Sequence, residues 1–213
     1  MRKTFLLLLL TVTVNTTASF AQSFAQVLDP AVDVIWLGLD FSMLRIVIDQ
    51  NDWSHKDPHE MFNAWNEVVL KEKEKYNVAK ALHREEVKFA IDVTMDHNAQ
   101  VPVDSLFTMN GNYEYKTSIL SDIVSSYDFK GNHGIGLMFI AESFNRPGNY
   151  GSFWVTFVNL DSKRIIYTQR MGAKPYGFGL RNLWIRPVYD ILNKIKSPEY
   201  KRWRKAFKVP KKK

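Results

Sequence analysis

The chain of 213 residues contains no cysteine. That absence excludes a disulfide-stapled scaffold, a thiolate nucleophile, a cysteine-ligated zinc and the acylated cysteine of a lipoprotein. Beyond its amino-terminal start, the sequence has no apolar run approaching the ~20 residues needed to cross a bilayer. It shows no internal repeat, no low-complexity linker and none of the patterns G-x-S-x-G, H-E-x-x-H or S-x-x-K that mark common hydrolases. Ten glycines and eight prolines are too few for a collagen-like or proline-rich disordered chain. What is present, 46% apolar and 24% charged residues, is the composition of a folded domain that buries a full core without metal or cross-link.

The first residues read as an address. Arg2 and Lys3 give a basic start, Phe5, Leu6, Leu10, Val12 and Val14 fall in a short apolar core, and Asn15, Thr16 and Thr17 end it. Ser19-Phe20-Ala21 then offers a small-x-small cleavage site before Gln22, and Ser23-Phe24-Ala25 offers a second before Gln26. The expectation is a cleavable signal peptide over residues 1–21, a mature protein in the periplasm or secreted, and no transmembrane helix in it.

The formal net charge of +7 is unevenly spread. Of the 29 bases, two lie in the leader and eight in the last thirteen residues, so residues 22–200 hold 19 bases against all 22 acids. The basicity belongs to the end of the chain and not to the body. The sequence is therefore divided into a leader, one domain over residues 22–200 and a basic tail over 201–213.

Within the body the periodicities predict an α/β (α+β) fold, a mixed sheet of about five strands in the order β-α-β-α-β-β-β-α. Residues 32–41 are apolar on both faces around Gly38 and predict a buried strand, which residues 43–48 prolong after a bend. Asp57, Pro58 and Glu60 form an N-cap, a first helical position and a capping-box partner, ahead of Met61, Phe62, Trp65, Val68 and Val69 at helical spacing. After a short helical piece to His83, alternation of Val87, Phe89, Ile91 and Val93 predicts a strand over 87–95. Residues 96–116 predict loop, 119–127 a helix, 134–141 a central strand, and 153–160 with 164–170 a hairpin about Asp161-Ser162-Lys163. Leu183, Trp184, Val188, Ile191, Leu192 and Ile195 form a last helical stripe, which Pro187 kinks or begins.

The strand Gly134-Ile-Gly-Leu-Met-Phe-Ile-Ala-Glu142, the strand over 153–160, and Gly172 followed by Gly177-Phe178-Gly179-Leu180-Arg181-Asn182-Leu183-Trp184 resemble a group of uncharacterised secreted or periplasmic proteins of Bacteroidota-type bacteria. The likeness spans most of the mature chain and implies export without implying an activity. In element order alone the chain also resembles the amino-terminal domain of TolB and the periplasmic domain of curli-secretion lipoproteins, a topological analogy from which no function follows.

Three places carry candidate chemistry. His55, Asp57, His59 and Glu60 cluster, but two histidines four apart with His55 ahead of the cap read better as helix-start chemistry than as a zinc site. His97 with Asp96, His133 and Glu142 form an acid-base set only if the fold brings them together. The glycine-rich stretch supplies a candidate ligand site of Gly172, Lys174, Gly177, Gly179 and Arg181, where backbone N–H groups ahead of a helix would hold an anion. It is not a P-loop, because Phe178 and Gly179 follow Gly177, and its alternative is a tight turn packing Phe178 and Trp184. The tail offers Lys201, Arg202, Trp203, Arg204, Lys205, Phe207 and Lys208 as a candidate membrane or anion contact, Trp203 and Phe207 lying one helical turn apart.

The expected function is a non-enzymatic periplasmic or secreted binding domain of the cell envelope, with an envelope protein or an anionic membrane surface as partner. No metal and no cofactor are expected, and export argues against nucleic acid. The alternatives are an envelope hydrolase or metal-dependent enzyme, marked by convergent ionisable groups in a cleft, and a structural subunit of an envelope assembly, marked by an exposed apolar patch.

Overall fold

A strand that is apolar on both faces belongs in the middle of a sheet covered on both sides, and β1 (Val34–Asp40) occupies that place. The computed structural model describes residues 23–47, 53, 56–111 and 116–209; the expected leader, His55 and residues 210–213 lie outside them. β1 pairs in parallel with the first half of β5 (Ile135–Asn145), from Val34 opposite Ile135 to Asp40 opposite Ile140. After a break at residues 41–44, β2 (Arg45–Val47) takes up the same edge of β5, from Arg45 opposite Ser143 to Val47 opposite Asn145. The two-residue strands β3 (Lys88–Phe89) and β4 (Phe107–Thr108) flank β1 and β2, also in parallel. On the other edge, β5 runs into the antiparallel ribbon of β6 (Tyr150–Asn159) and β7 (Arg164–Ala173). The seven strands make one mixed sheet of five ranks, since β1 and β2, and likewise β3 and β4, lie end to end.

The first face is covered by α2 (Pro58–Lys71) and α6 (Gly179–Lys194), with the short helices α1 (Phe24–Val27), α3 (Val78–Ala81) and α7 (Tyr200–Ala206). Phe62, Trp65, Trp184 and Trp203 pack there on Trp36, Phe139, Phe153 and Phe157. The second face holds a smaller core, in which Val93 of α4 (Asp92–Asn98) and Leu120 and Val124 of α5 (Ser118–Ser126) meet Leu37, Met138, Ile140 and Val158. At the α2 start Asp57 accepts the His59 N–H at 2.9 Å and Pro58 opens the helix, as the sequence predicts, but the expected reciprocal capping-box bond of Glu60 does not form.

Gly38 shows how helices on both faces lock onto β1. Its φ is +111°, and a Cβ there would collide with Asn66 of α2 and Thr94 of α4. The space lets Asn66 accept from the Leu39 N–H at 2.7 Å and Thr94 donate to the Leu37 carbonyl at 2.6 Å. Asn98 completes the set, donating to Leu39 O at 2.8 Å and accepting from the Phe41 N–H at 2.9 Å. Buried side chains thus satisfy backbone groups where a bulge interrupts the ladder.

Four expectations are corrected. The strand over 87–95 ends at Phe89, and residues 92–98 are helical, because Thr94 and Asn98 must reach β1 from one helical face. The expected loop after it carries a helical turn over Val103–Ser105 and strand β4. α6 does not begin at Pro187 but runs through it from Gly179, and the Pro187 ring lies over Gly151, where a Cβ would sit 2.9 Å from Pro187 Cγ. The boundary after residue 200 does not hold for residues 201–209. Trp203 is 3% exposed and its indole donates to Gln169 Oε1 at 2.6 Å, while the Tyr200 hydroxyl donates to Leu28 O at 3.0 Å. Their partners lie far back in the chain, out of reach of any local reading of the tail.

Candidate functional site

Along β5 the side chains that face the second core read Met138, Ile140 and then Glu142. Between Ala141 and Ser143 the register with β6 shifts by one residue, and Glu142 is the extra residue. Bulges of this kind re-aim a side chain. Here the carboxylate is turned onto β6 and β7, where it accepts from Ser152 Oγ at 2.7 Å, Trp154 Nε1 at 3.2 Å and Arg170 Nε at 2.5 Å. Glu142 is only 5% exposed, whereas the Arg170 side chain reaches solvent. A buried carboxylate is tolerated when its charge is paired and its oxygens are hydrogen-bonded, as they are here.

Glu142, Ser152 and Arg170 form one wall of a cleft of about 230 Å³. β2 contributes Arg45 and Val47, the end of β5 contributes Ser143 and Asn145, and Asn110 and Gly111 after β4 close it from above. Gly111 lies close to Asn145, whose Nδ2 would be 3.3 Å from a Cβ placed there. Among the described lining residues the charged groups are Arg45, Arg170 and Glu142, with Arg170 paired to Glu142. Amide and hydroxyl groups from Asn110, Asn145, Ser143 and Ser152 supply further hydrogen-bonding atoms. The cleft lies at the carboxyl ends of parallel strands β2 and β5, where backbone carbonyls and loops leave room for ligands in open α/β sheets.

The acid-base set expected from His97, Asp96, His133 and Glu142 does not assemble. His133 pairs with Asp161 at 2.6 Å beside the start of β5, about 30 Å along the strand from Glu142. Asp96 bonds Lys130 at 2.5 Å. His97 instead meets Asp40, a fully buried residue that the sequence reading passed over. Asp40 accepts from the Tyr127 hydroxyl and from Ser42 Oγ at 2.5 Å, and His97 stacks on the Tyr127 ring at 4.1 Å with Nδ1 3.2 Å from Asp40 Oδ2. Burial, with the neighbouring Asp40 charge adding to it, pushes the Tyr127 phenol well above its ordinary value. Ser126 Oγ stands 3.2 Å from His97 Nε2, which completes a Ser-His-Asp sequence of contacts. Ser126 is the last residue of α5, however, where unpaired backbone groups are carbonyls and no N–H pair is available to hold an oxyanion. Its hydroxyl also donates to Ile123 O at 2.7 Å, away from the histidine. The cluster ties β1, α4 and α5 together.

The remaining sequence candidates are spread out. His59 Nε2 bonds the Val101 carbonyl at 2.9 Å, and no group of three metal-ligating side chains occurs among the described residues. Gly172 is inside β7, where a side chain would collide with the Tyr150 ring. Gly177 and Gly179 have φ of +138° and +76°, and Lys174 and Arg181 are exposed on either side of them. Phe178, expected to pack, is 96% exposed, while Trp184 stacks on Phe144 at 4.6 Å as expected. Of the tail candidates, Lys201, Arg202, Lys205 and Lys208 face solvent, Trp203 is buried, and Phe207 edges against Phe24 at 4.8 Å. No helix among the described residues is long and apolar enough to cross a membrane.

Sequence reasoning found Glu142 and missed Ser152, Trp154 and Arg170, which reach it only through strand register, and Arg45, which lines the same cleft. Comparison of the chain with protein-family models, with curated proteins and with solved structures finds no match.

Proposed function

We propose that this protein is an exported binding domain of the cell envelope that holds a small anionic ligand bearing hydroxyl or amide groups in the Glu142 cleft. The observation that carries the reading is the buried Glu142 carboxylate, held by three donors, in a cleft with two arginines and at least four amide or hydroxyl side chains. A polar web assembled at a bulge costs stability unless every member is satisfied. Here it leaves the outward guanidinium edge of Arg170, whose side chain is half exposed, to meet a ligand carboxylate or phosphate. A cleft of this size takes one sugar-acid or phosphate-sized group, and Glu142 orients Arg170 while rejecting a second negative charge placed on its own side.

The test is calorimetric titration of the protein with sodium glucuronate, inorganic phosphate and glucose. Saturable binding of glucuronate or phosphate, weaker binding of glucose, and roughly tenfold or greater loss in Arg170→Gln support the reading. Absence of saturable binding by both anions overturns it.

Export rests on the leader pattern, and Phe24 bears on where the leader ends. Phe24 is buried among Phe157, Tyr167, Trp203 and Phe207, stacked on Tyr167 at 3.9 Å. Cleavage before Gln26 would remove it together with Ser23, whose N–H bonds Gln26 Oε1 at 2.8 Å at the start of α1. Cleavage before Gln22 keeps all of these groups. The mature chain is therefore proposed to begin at Gln22, and the amino-terminal mass of the protein from its native host checks this; a terminus at Gln26 or an intact Met1 contradicts it.

A further inference from the structure

We propose that the loop leading into α6 is a membrane-docking tip, with the surface of an anionic bilayer as its partner. Tyr176 is 72% exposed and Phe178 is 96% exposed. Phe178 has no polar atom to justify its place in water. Lys174 and Arg181 stand exposed on either side of this aromatic pair. Exposed aromatic rings flanked by cations are the composition that enters the headgroup region, the rings taking the interface and the bases meeting lipid phosphates.

The projection is built into the fold. Gly177 and Gly179 adopt positive φ on both sides of Phe178, a backbone that carries the ring outward. Gly177 lies so close to the first turn of α6 that a Cβ would sit 3.0 Å from the Asn182 backbone, and Asn182 Nδ2 donates to the Phe178 carbonyl at 3.1 Å. On the strand that leads into the loop, Lys194 Nζ of α6 donates to Gly172 O at 2.5 Å. The tip is thus held against a helix of 16 residues with its aromatic side chains pointing away.

Charge selects the partner. Residues 22–200 carry an excess of acids, so an anionic surface repels most of the body and admits only its cationic places. Two such places among the described residues are the α6 loop and α7, and they differ in how far their aromatics are exposed. α7 turns Trp203 into the core, and Phe207 at its end is 39% exposed and edges against Phe24 and Tyr167, so this end presents mainly cations. The α6 loop presents cations and free rings together. It also adjoins the proposed ligand cleft, since Gly172 packs against the ring of Tyr150, which lines the cleft. A docked tip therefore brings the cleft mouth toward the lipid headgroups, although docking itself does not depend on the cleft having a ligand.

The lack of cysteine makes the test direct, because a single introduced thiol is the only labelling site. The mature chain from Gln22, carrying Phe178→Cys or Lys201→Cys labelled with a polarity-sensitive fluorophore, is mixed with vesicles of phosphatidylcholine and phosphatidylglycerol or of phosphatidylcholine alone. The expected result is a blue shift of the label at position 178 on anionic vesicles, and little shift at position 201. Cosedimentation of the unlabelled protein should fall roughly tenfold or more in the Tyr176→Ala, Phe178→Ala double variant, whose exposed side chains leave the fold intact. Lys174→Ala with Arg181→Ala should weaken attachment and flatten its salt dependence. A shift at 201 without one at 178 overturns the proposal in favour of the tail. No cosedimentation with anionic vesicles overturns it altogether, as does equal binding to neutral vesicles. None of these readouts uses the cleft, so failure here and failure of glucuronate or phosphate binding are separate results.

Discussion

The second face of the sheet has two halves built from the same strands, and they solve the problem of exposure in opposite ways. Near the amino end of β5, Leu37, Met138, Ile140 and Val158 are apolar and lie beneath α4 and α5. Near its carboxyl end the helices stop, and Glu142, Ser152, Trp154 and Arg170 bond one another around a cleft. Met138 and Ile140 alternate regularly on this face, and the bulge at Glu142 marks the border between the halves. What changes is the cover. The half under α4 and α5 contributes stability by removing apolar area from water, whereas the half that no described helix covers holds a buried, bonded carboxylate, and the proposed ligand would enter there.

Substitutions along this strand should sharpen or break that division. The largest effect is expected at Ile140, where truncation to Ala beneath α4 and α5 should cost about 2–5 kcal/mol in urea unfolding while leaving anion binding at the cleft unchanged. At the border, Tyr127→Phe removes a donor from the buried Asp40 and should cost about 1–3 kcal/mol, again without affecting binding. In the open half, Glu142→Gln keeps an acceptor for Ser152 but releases Arg170, and should cost about 1 kcal/mol in stability while lowering glucuronate or phosphate affinity. A loss of stability at Glu142 as large as that at Ile140, with binding untouched, would erase the distinction between the halves.

The smallest effect lies at the far end of β5. The His133 side chain and then the Gly134 N–H hold the Asp161 carboxyl below its ordinary value of 3.8. A depressed carboxyl contributes stability that is present above its unfolded pKa and is lost as pH falls through the lower folded value. Replacing His133 with Ala should return the Asp161 titration toward 3.8 in a carboxyl-detected NMR experiment, with little change in melting temperature because both side chains are exposed.

Much of this architecture was legible in the sequence because it is local. Residues 32–41 announce a strand buried on both faces, Asp57-Pro58 announces the start of α2, and Asp161-Ser162-Lys163 marks the hairpin between β6 and β7. The bend that separates β1 from β2 was equally visible. What escaped depends on distant partners. Val87, Phe89, Ile91 and Val93 alternate like a strand, yet the need for Thr94 and Asn98 to cap the broken ladder of β1 makes residues 92–98 a helix. Trp203 sits in a basic run but is buried because Gln169, Phe24 and Tyr167 meet it. Phe178 sits among glycines that suggested a packed turn, and the positive φ values carry it outward instead. Of the cleft, only Glu142 could be named beforehand, because register decides that Ser152, Trp154 and Arg170 are its neighbours.

The division between the halves rests on the claim that the cleft beside Glu142 receives an anion. Titration of the mature protein and of its Arg170→Gln variant with glucuronate and phosphate at low ionic strength tests this most directly. The account predicts saturable one-to-one binding of at least one of these anions by the parent protein, and a loss of roughly tenfold or more in the variant. Identical isotherms for the two proteins, or no saturable binding of either anion, would contradict it.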